Sequence, residues 1–223
     1  MSLVCYDLAS IVIDDSVVER AFAEAIATQG MVAGTEAYVR AMVKFDRARG
    51  RPPADVLRDI FGSDESRVQA ASLAFDRSFH GAADRFGVTA SPETLGTLGK
   101  ITAAGVQVCL LTALSRAASG PVLDWLGRHR PADLVLCGDD APRGFPWPDP
   151  VLTAMLRLGV ADVREVAVVS ATTSGLLSGH RAGAGFVIGV ADTPQLLPAL
   201  REAGATHVLD DVAALPDFLA CDS

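Results

Sequence analysis

Short apolar runs bounded by turn or helix signals recur along the chain at Leu3–Leu8, Val106–Thr112, Leu134–Cys137, Val166–Ser170, Gly185–Val190 and His207–Leu209. Several are continuous rather than alternating, the pattern of strands buried on both faces. Between the later runs lie stretches of helical character at Pro92–Ala104, Ala117–Arg128, Pro150–Leu158, Thr173–Ala182 and Thr193–Ala203. Strand and helix in alternation predict right-handed crossovers and an α/β fold, a Rossmann-like parallel sheet covered by helices.

The segment from Ser16 to Val88 breaks this rhythm. It offers no convincing strand, whereas Val17–Gln29, Thr35–Arg47, Ala54–Phe61 and Asp64–Phe86 each have amphipathic helical spacing, with Gly30, Gly50, Gly62 and Gly87 as stops. Pro52-Pro53 punctuates the segment, since the residue before a proline is pushed out of helix. The expected organisation is a core of residues 1–15 and 89–223 with a helical cap, 16–88, inserted after the first strand. Ligands in such sheets bind at the carboxyl ends of the strands. Asp7, Thr112, the loop Asp139–Asp149 and Ser170–Gly175 are therefore expected to meet in a crevice beneath the cap.

Composition narrows the function classes. Of 223 residues, 50% are hydrophobic and only 6% aromatic, which suits helices packed on a parallel sheet, and the length suffices for a full core. A formal charge of -8 argues against nucleic acid or an anionic membrane surface as partner, because neither supplies a counter-charge. No secretory leader or bilayer-length apolar run is evident, so a cytoplasmic protein is expected. Cys5, Cys109, Cys137 and Cys221 lack the paired short spacings of zinc or redox motifs and are expected to be reduced, the first three as small buried hydrophobes.

The strand-end residues carry a resemblance. Asp7 and Ala9 follow the first apolar run, Thr112 ends the next core strand, Gly144-Phe145-Pro146-Trp147-Pro148-Asp149 precedes a helix, and Ser170-Ala171-Thr172-Thr173-Ser174-Gly175 ends the fourth core strand. In this order they resemble the four motifs of the haloacid-dehalogenase superfamily, in its phosphonatase-like branch, from about Val4 to Leu219. The resemblance implies Asp7 as nucleophile, with Ala9 in the phosphonatase pattern, and Thr112 as a holder of phosphoryl oxygens. It also implies departures. Ser10-Ile11 replaces the usual Gly-Thr, and Phe145 stands at the basic position with Arg143 as the nearby substitute. Ala171 and Gly175 stand where the family carries two magnesium-binding aspartates. The family's Schiff-base lysine falls on Pro53, and Lys44 and Lys100 do not fit its motif, so imine chemistry is not expected.

An anionic carboxylate approaching an anionic phosphate needs cations to offset the repulsion. With the basic residue and both aspartates replaced together, no metal and no cofactor are expected, and the leading reading is a binding, structural or regulatory protein without magnesium-dependent phosphatase activity. Hydroxyls and free N–H groups at Ser170, Thr172 and Thr173 could instead hold a small anionic or carbonyl ligand without a cation, as in metal-free dehalogenases, although Ser and Thr there are also ordinary helix caps. In that alternative Asp7 is nucleophile or base of a metal-independent hydrolase. Ser115 and Arg116, after the second motif, are candidate ligand contacts, as is Arg143. A homodimer through the cap is a third expectation.

Weaker candidates are the cap arginines Arg40, Arg47, Arg49 and Arg51, facing ligand or forming a solvated face. Asp14-Asp15 and Asp139-Asp140 are either a relocated metal site or acids at helix starts. Phe145 and Trp147 either meet a less polar ligand or pack the emptied site. His80, His129, His180 and His207 have no metal-ligand spacing.

Overall fold

Each core strand is short, apolar and buried, and the six of them pair edge to edge in one parallel sheet. The structure, a computed structural model, describes residues 1–8, 15–86, 92–191 and 193–221. Ala9, Ser10, Ile11 and Asp14, and the expected core–cap boundary at 88/89, lie outside the described residues. The strands are β1 (Leu3–Asp7), β2 (Gln107–Leu111), β3 (Leu134–Leu136), β4 (Val166–Ser170), β5 (Phe186–Val190) and β6 (His207–Leu209), in the spatial order β3-β2-β1-β4-β5-β6. Strand β1 is central, with Tyr6 beside Leu110 on one side and Val169 on the other.

Successive residues of β1 point to opposite faces, as the pleat requires. Val4 and Tyr6 join Val108, Leu110, Val169 and Ile188 in one cluster, while Leu3 and Cys5 join Cys109, Leu111, Val166 and Val168 in another. Helices α5 (Pro92–Ala103) and α6 (Gly120–His129) supply Leu98, Ile101, Val122 and Leu126 to the first face. Helix α7 (Asp149–Leu158) supplies Val151, Ala154 and Met155 to the second, and α8 (Thr173–Ala182) packs Leu176 beside Val187 of β5. Covering both faces makes continuous apolar strands stable, at about 25 cal/mol for each Å² of apolar surface withdrawn from water.

Between β1 and α5 the chain forms α1 (Asp15–Ala27), α2 (Glu36–Arg47), α3 (Pro53–Phe61) and α4 (Glu65–Phe86), the four helices expected from spacing. Phe22 and Ile26 of α1 and Phe75 and Phe79 of α4 are fully buried in the seam of this insertion, with Phe22 stacked on Phe45 of α2 at 4.2 Å.

Two helices depart from expectation for one reason. The Ala117–Arg128 helix starts only at Gly120, because Ser115 takes up the N–H of Ala118 and Ser119 through its hydroxyl and carbonyl, and Pro121, having no N–H, fits the first turn. In Thr193–Ala203 a 3-10 turn, Pro194–Leu196, precedes α9 (Leu197–Glu202), since Pro198 cannot donate back into a longer helix. Helix α10 (Leu215–Cys221), unexpected from the sequence, closes the chain's described part with Leu215 and Leu219 in the core. Cys5, Cys109 and Cys137 are buried free thiols, as expected. Among the described residues no helix is long and apolar enough to cross a membrane.

Candidate functional site

The parallel pairing of β1 with β4 sets the carboxyl ends of both strands side by side, so Asp7 and Ser170 meet although 163 residues separate them. Asp7 is 3% exposed and Ser170 is fully buried. The Ser170 hydroxyl donates to Asp7 Oδ2 at 2.7 Å, and Thr172 Oγ1 donates to the same oxygen at 3.1 Å. In return Ser170 Oγ accepts the Thr172 N–H at 2.9 Å, and Thr172 Oγ1 accepts the Gly175 N–H at 3.1 Å as N-cap of α8. Thr172 thus both caps a helix and solvates a carboxylate. Beside them the Tyr6 phenol is pushed above its usual value by burial and then by the negative charge of Asp7, so it stays protonated.

Gly175 belongs to this cluster through its lack of a side chain. A Cβ there would collide with Ser170 Oγ and stand 3.0 Å from Asp7 Oδ2. Serine at 170 and a side chain at 175 therefore exclude each other in this backbone.

The insertion lies directly over the cluster. Gly50, at φ +81°, runs so close to Thr172 that a Cβ would stand 2.5 Å from its hydroxyl oxygen. Ser174 Oγ donates to the Arg49 carbonyl at 2.9 Å. A small cavity of about 90 Å³ remains between Phe45, Arg49, Gly50 and Pro53 above and Thr112 and Thr172 below. A larger cleft of about 650 Å³ opens alongside, bounded by Arg51, Asp55 and Asp76 of the insertion and by Ser115, Arg143 and Trp147 of the core. That volume falls within the ~300–1,000 Å³ of small-molecule sites. Asp7 lines neither of these two spaces; Thr172 stands between it and the smaller one.

The other expected site residues separate into two groups. Thr112 borders the small cavity and accepts the Leu114 N–H, while Ser115 faces the cleft and donates to Asp76 Oδ1 at 2.9 Å. Arg143 also lines the cleft but is committed. Its guanidinium forks onto both oxygens of Asp149 at 3.0 and 2.8 Å and covers the Trp147 ring at 4.4 Å, and this hydrogen bonding holds the Asp149 carboxyl below its usual range. Arg116 and Thr173 line neither space: Arg116 pairs with Asp140, and Thr173 opens α8.

Phe145 does not face a ligand. It is 2% exposed and belongs to the buried cluster that holds Leu111 and Val151, whereas Trp147 is 44% exposed at the cleft. Asp139 and Asp140 cap the backbone N–H groups of Arg116 and Cys137. Among the cap arginines Arg40 pairs with Glu36, Arg49 with Asp46 and Arg51 with Asp59.

The described donors do not fit a magnesium ion. Positions 171 and 175 offer a methyl group and a hydrogen, Asp7 Oδ2 already receives two hydroxyl protons, and no group of three or more His, Cys, Asp or Glu side chains converges among the described residues. Sequence reading missed Asp76 and Gly50. Asp76 carries no motif signal within α4, and nothing in the spacing around Gly50 reports its contact with Thr172.

A central strand ending in a buried acid, with helices on both sheet faces and a four-helix insertion after that strand, defines a haloacid-dehalogenase-type α/β fold. Solved structures share it: a hydrolase from Pseudomonas syringae (TM-score 0.76, 20% identity, 99% of this chain and 98% of that one), a phosphonoacetaldehyde hydrolase-like protein from Oleispira antarctica (0.70, 21%, 99% and 91%) and a haloacid dehalogenase-like hydrolase from Bacteroides fragilis (0.77, 18%, 96% and 99%). Phosphoglycolate phosphatases of Escherichia coli (strain K12) and Salmonella typhimurium are 28% and 27% identical over 171 residues, 69% of this chain. The match spans 66% of those phosphatases' length. No family model matches. The chain thus has the haloacid-dehalogenase-like fold and is similar in sequence to phosphatases.

Proposed function

We propose that this chain is a phosphonatase-like member of the superfamily that has lost magnesium-dependent phosphoryl transfer and acts as a binding or regulatory protein. Residues 16–88 act as its cap, and a small anionic or carbonyl ligand enters between cap and core. One observation carries the reading: Asp7 Oδ2 is hydrogen-bonded by Ser170 and Thr172, and Ser170 fills the space a side chain at 175 would need. A methyl group at 171 and a hydrogen at 175 stand where the resemblance expects carboxylates, and neighbouring hydroxyls solvate Asp7 instead. Removal of single members from a charged buried cluster leaves uncompensated charge, which is why such a cluster is lost together. Burial of Phe145 and the commitment of Arg143 to Asp149 support the same reading. A cytosolic location follows from the sequence expectation.

The test is hydrolysis of p-nitrophenyl phosphate with magnesium, with chelator, and in Asp7→Asn. The expected result is no turnover above background in any arm. Turnover at ordinary enzyme rates, about 1 s⁻¹ or more, that chelator and Asp7→Asn each abolish overturns the proposal.

The hydroxyl pair also favours a second reading, a metal-independent hydrolase or related enzyme in which Asp7 is nucleophile or base on a small anionic or carbonyl substrate. It requires turnover that survives chelator and disappears in Asp7→Asn. If Asp7 is the nucleophile, the intact protein must gain the mass of an aspartyl adduct.

A further inference from the structure

The chain is acidic overall, yet three of its arginines converge on the outer surface of the insertion. Arg20 of α1 and Arg77 and Arg85 of α4 line a groove of about 350 Å³ that shares no residue with the cleft between insertion and core. Its one acid, Glu24, is engaged by the Ser78 hydroxyl across the α1–α4 seam. Among the described residues Arg77 and Arg85 form no ion pair, unlike Arg40, Arg49, Arg51 and Arg58 elsewhere on the insertion. These two charges are unanswered within the described fold.

Between them sits Gly81. Residues 77, 81 and 85 follow at helical i, i+4, i+8 spacing and share one face, with Arg77 and Arg85 about 12 Å apart along the axis. Each guanidinium reaches roughly half that distance, so both forks can close over residue 81. Glycine is a poor choice inside a 22-residue helix, and packing does not demand it: a Cβ at 81 would meet nothing within 4 Å. What a side chain would do is fill the floor of the groove.

We infer that the Arg77–Gly81–Arg85 face of α4, with Arg20 opposite, is a binding site for a soluble phosphoryl-type dianion, separate from the Asp7 cluster. Planar guanidinium forks match the oxygens of such a group bidentately, and the bare helix surface over Gly81 admits it between them. Because the groove is solvent-open, binding weakens with salt over the range in which the Debye length shrinks.

The probe is pyrophosphate, titrated by calorimetry into the full chain at low and at high ionic strength. Arg77→Ser/Arg85→Ser is expected to weaken binding at least about tenfold, the loss of one or two charge-assisted hydrogen bonds. Gly81→Glu, which offers a better helix former and an internal carboxylate for the same arginines, is expected to abolish binding with helicity intact. Arg164→Ser/Arg201→Ser, which removes equal charge elsewhere, is expected to keep affinity within about twofold. Binding that survives both groove variants, falls equally in the charge control, or is absent in the wild type at millimolar pyrophosphate overturns the assignment.

Discussion

Gly50 and Thr172 touch across the boundary between insertion and core, with room between them for a hydrogen but not for a methyl group. The contact brings the loop before α3 down onto the residue that caps α8 and bonds Asp7. Gly50→Ala would add a clash at 2.5 Å to a backbone already at φ +81°. The expected loss is about 2 kcal/mol or more in urea unfolding. Combining it with Thr172→Ala, which removes the clashing oxygen, is expected to cost less than the two single losses added. Strict additivity would show that the two residues do not meet.

Ser170 and Gly175 form a second exclusive pair. Gly175→Asp, which supplies the acid that the motif resemblance expects there, is expected to destabilise, since its Cβ collides with Ser170 Oγ and its charge faces Asp7. Adding Ser170→Gly removes the collision, and adding Ala171→Asp completes the acidic set. The triple variant is then expected to gain stability from magnesium where the wild type gains none. Melting temperatures with and without magnesium decide this, and a wild type stabilised as strongly as the triple variant would contradict it.

Ser170→Ala leaves Asp7 Oδ2 without its shorter hydrogen bond and the Thr172 N–H without its acceptor. A cost of about 1.5–3 kcal/mol is expected, the range for hydrogen bonds to a charged group. In a double-mutant cycle with Asp7→Ala most of that cost should vanish, because the group needing the hydroxyl is gone. Denaturant midpoints of the four proteins give the coupling.

Asp76 links pH to the seat of the insertion. Burial raises its carboxyl above the usual 3.8, the Ser115 hydroxyl pulls it down, and the charge of Asp139 raises it further. With the folded value above the unfolded one, the native state binds the extra proton between the two, so stability falls as pH rises through that interval. The penalty is complete above the folded value and absent below the unfolded one. Asp76→Asn is expected to flatten this part of the stability–pH curve; carbon-13 titration of the Asp76 carboxyl checks the direction.

Much of the scaffold was legible because its signals are local. Strands β4 and β6 and helix α8 span the residues expected, since continuous β-branched runs and a threonine cap declare themselves within a few positions. Helix α10 was missed because seven residues holding one proline carry too little periodicity. Of the site, Asp7 and Thr172 were visible as strand-end groups, but their hydrogen bond depends on β1 lying next to β4, which no local signal reports. In sequence Arg143 and Arg116 are candidate ligand contacts, and their ion-pair partners, Asp149 and Asp140, are chosen by loop geometry that no local signal reports. Phe145 faces inward for a reason visible only in three dimensions: it joins the buried cluster that holds Leu111 of β2 and Val151 of α7.

Neighbouring β1 and β4 have a consequence for the order in which the chain is made. Asp7 leaves the ribosome 163 residues ahead of Ser170, and the whole insertion and strands β2 and β3 are made before its partner arrives. Until β4 slots in beside β1, the acid must rely on water for the two protons these hydroxyls later give it. Translation stalled before residue 166 would leave a half-built sheet with an exposed central edge, a surface that invites pairing with another chain.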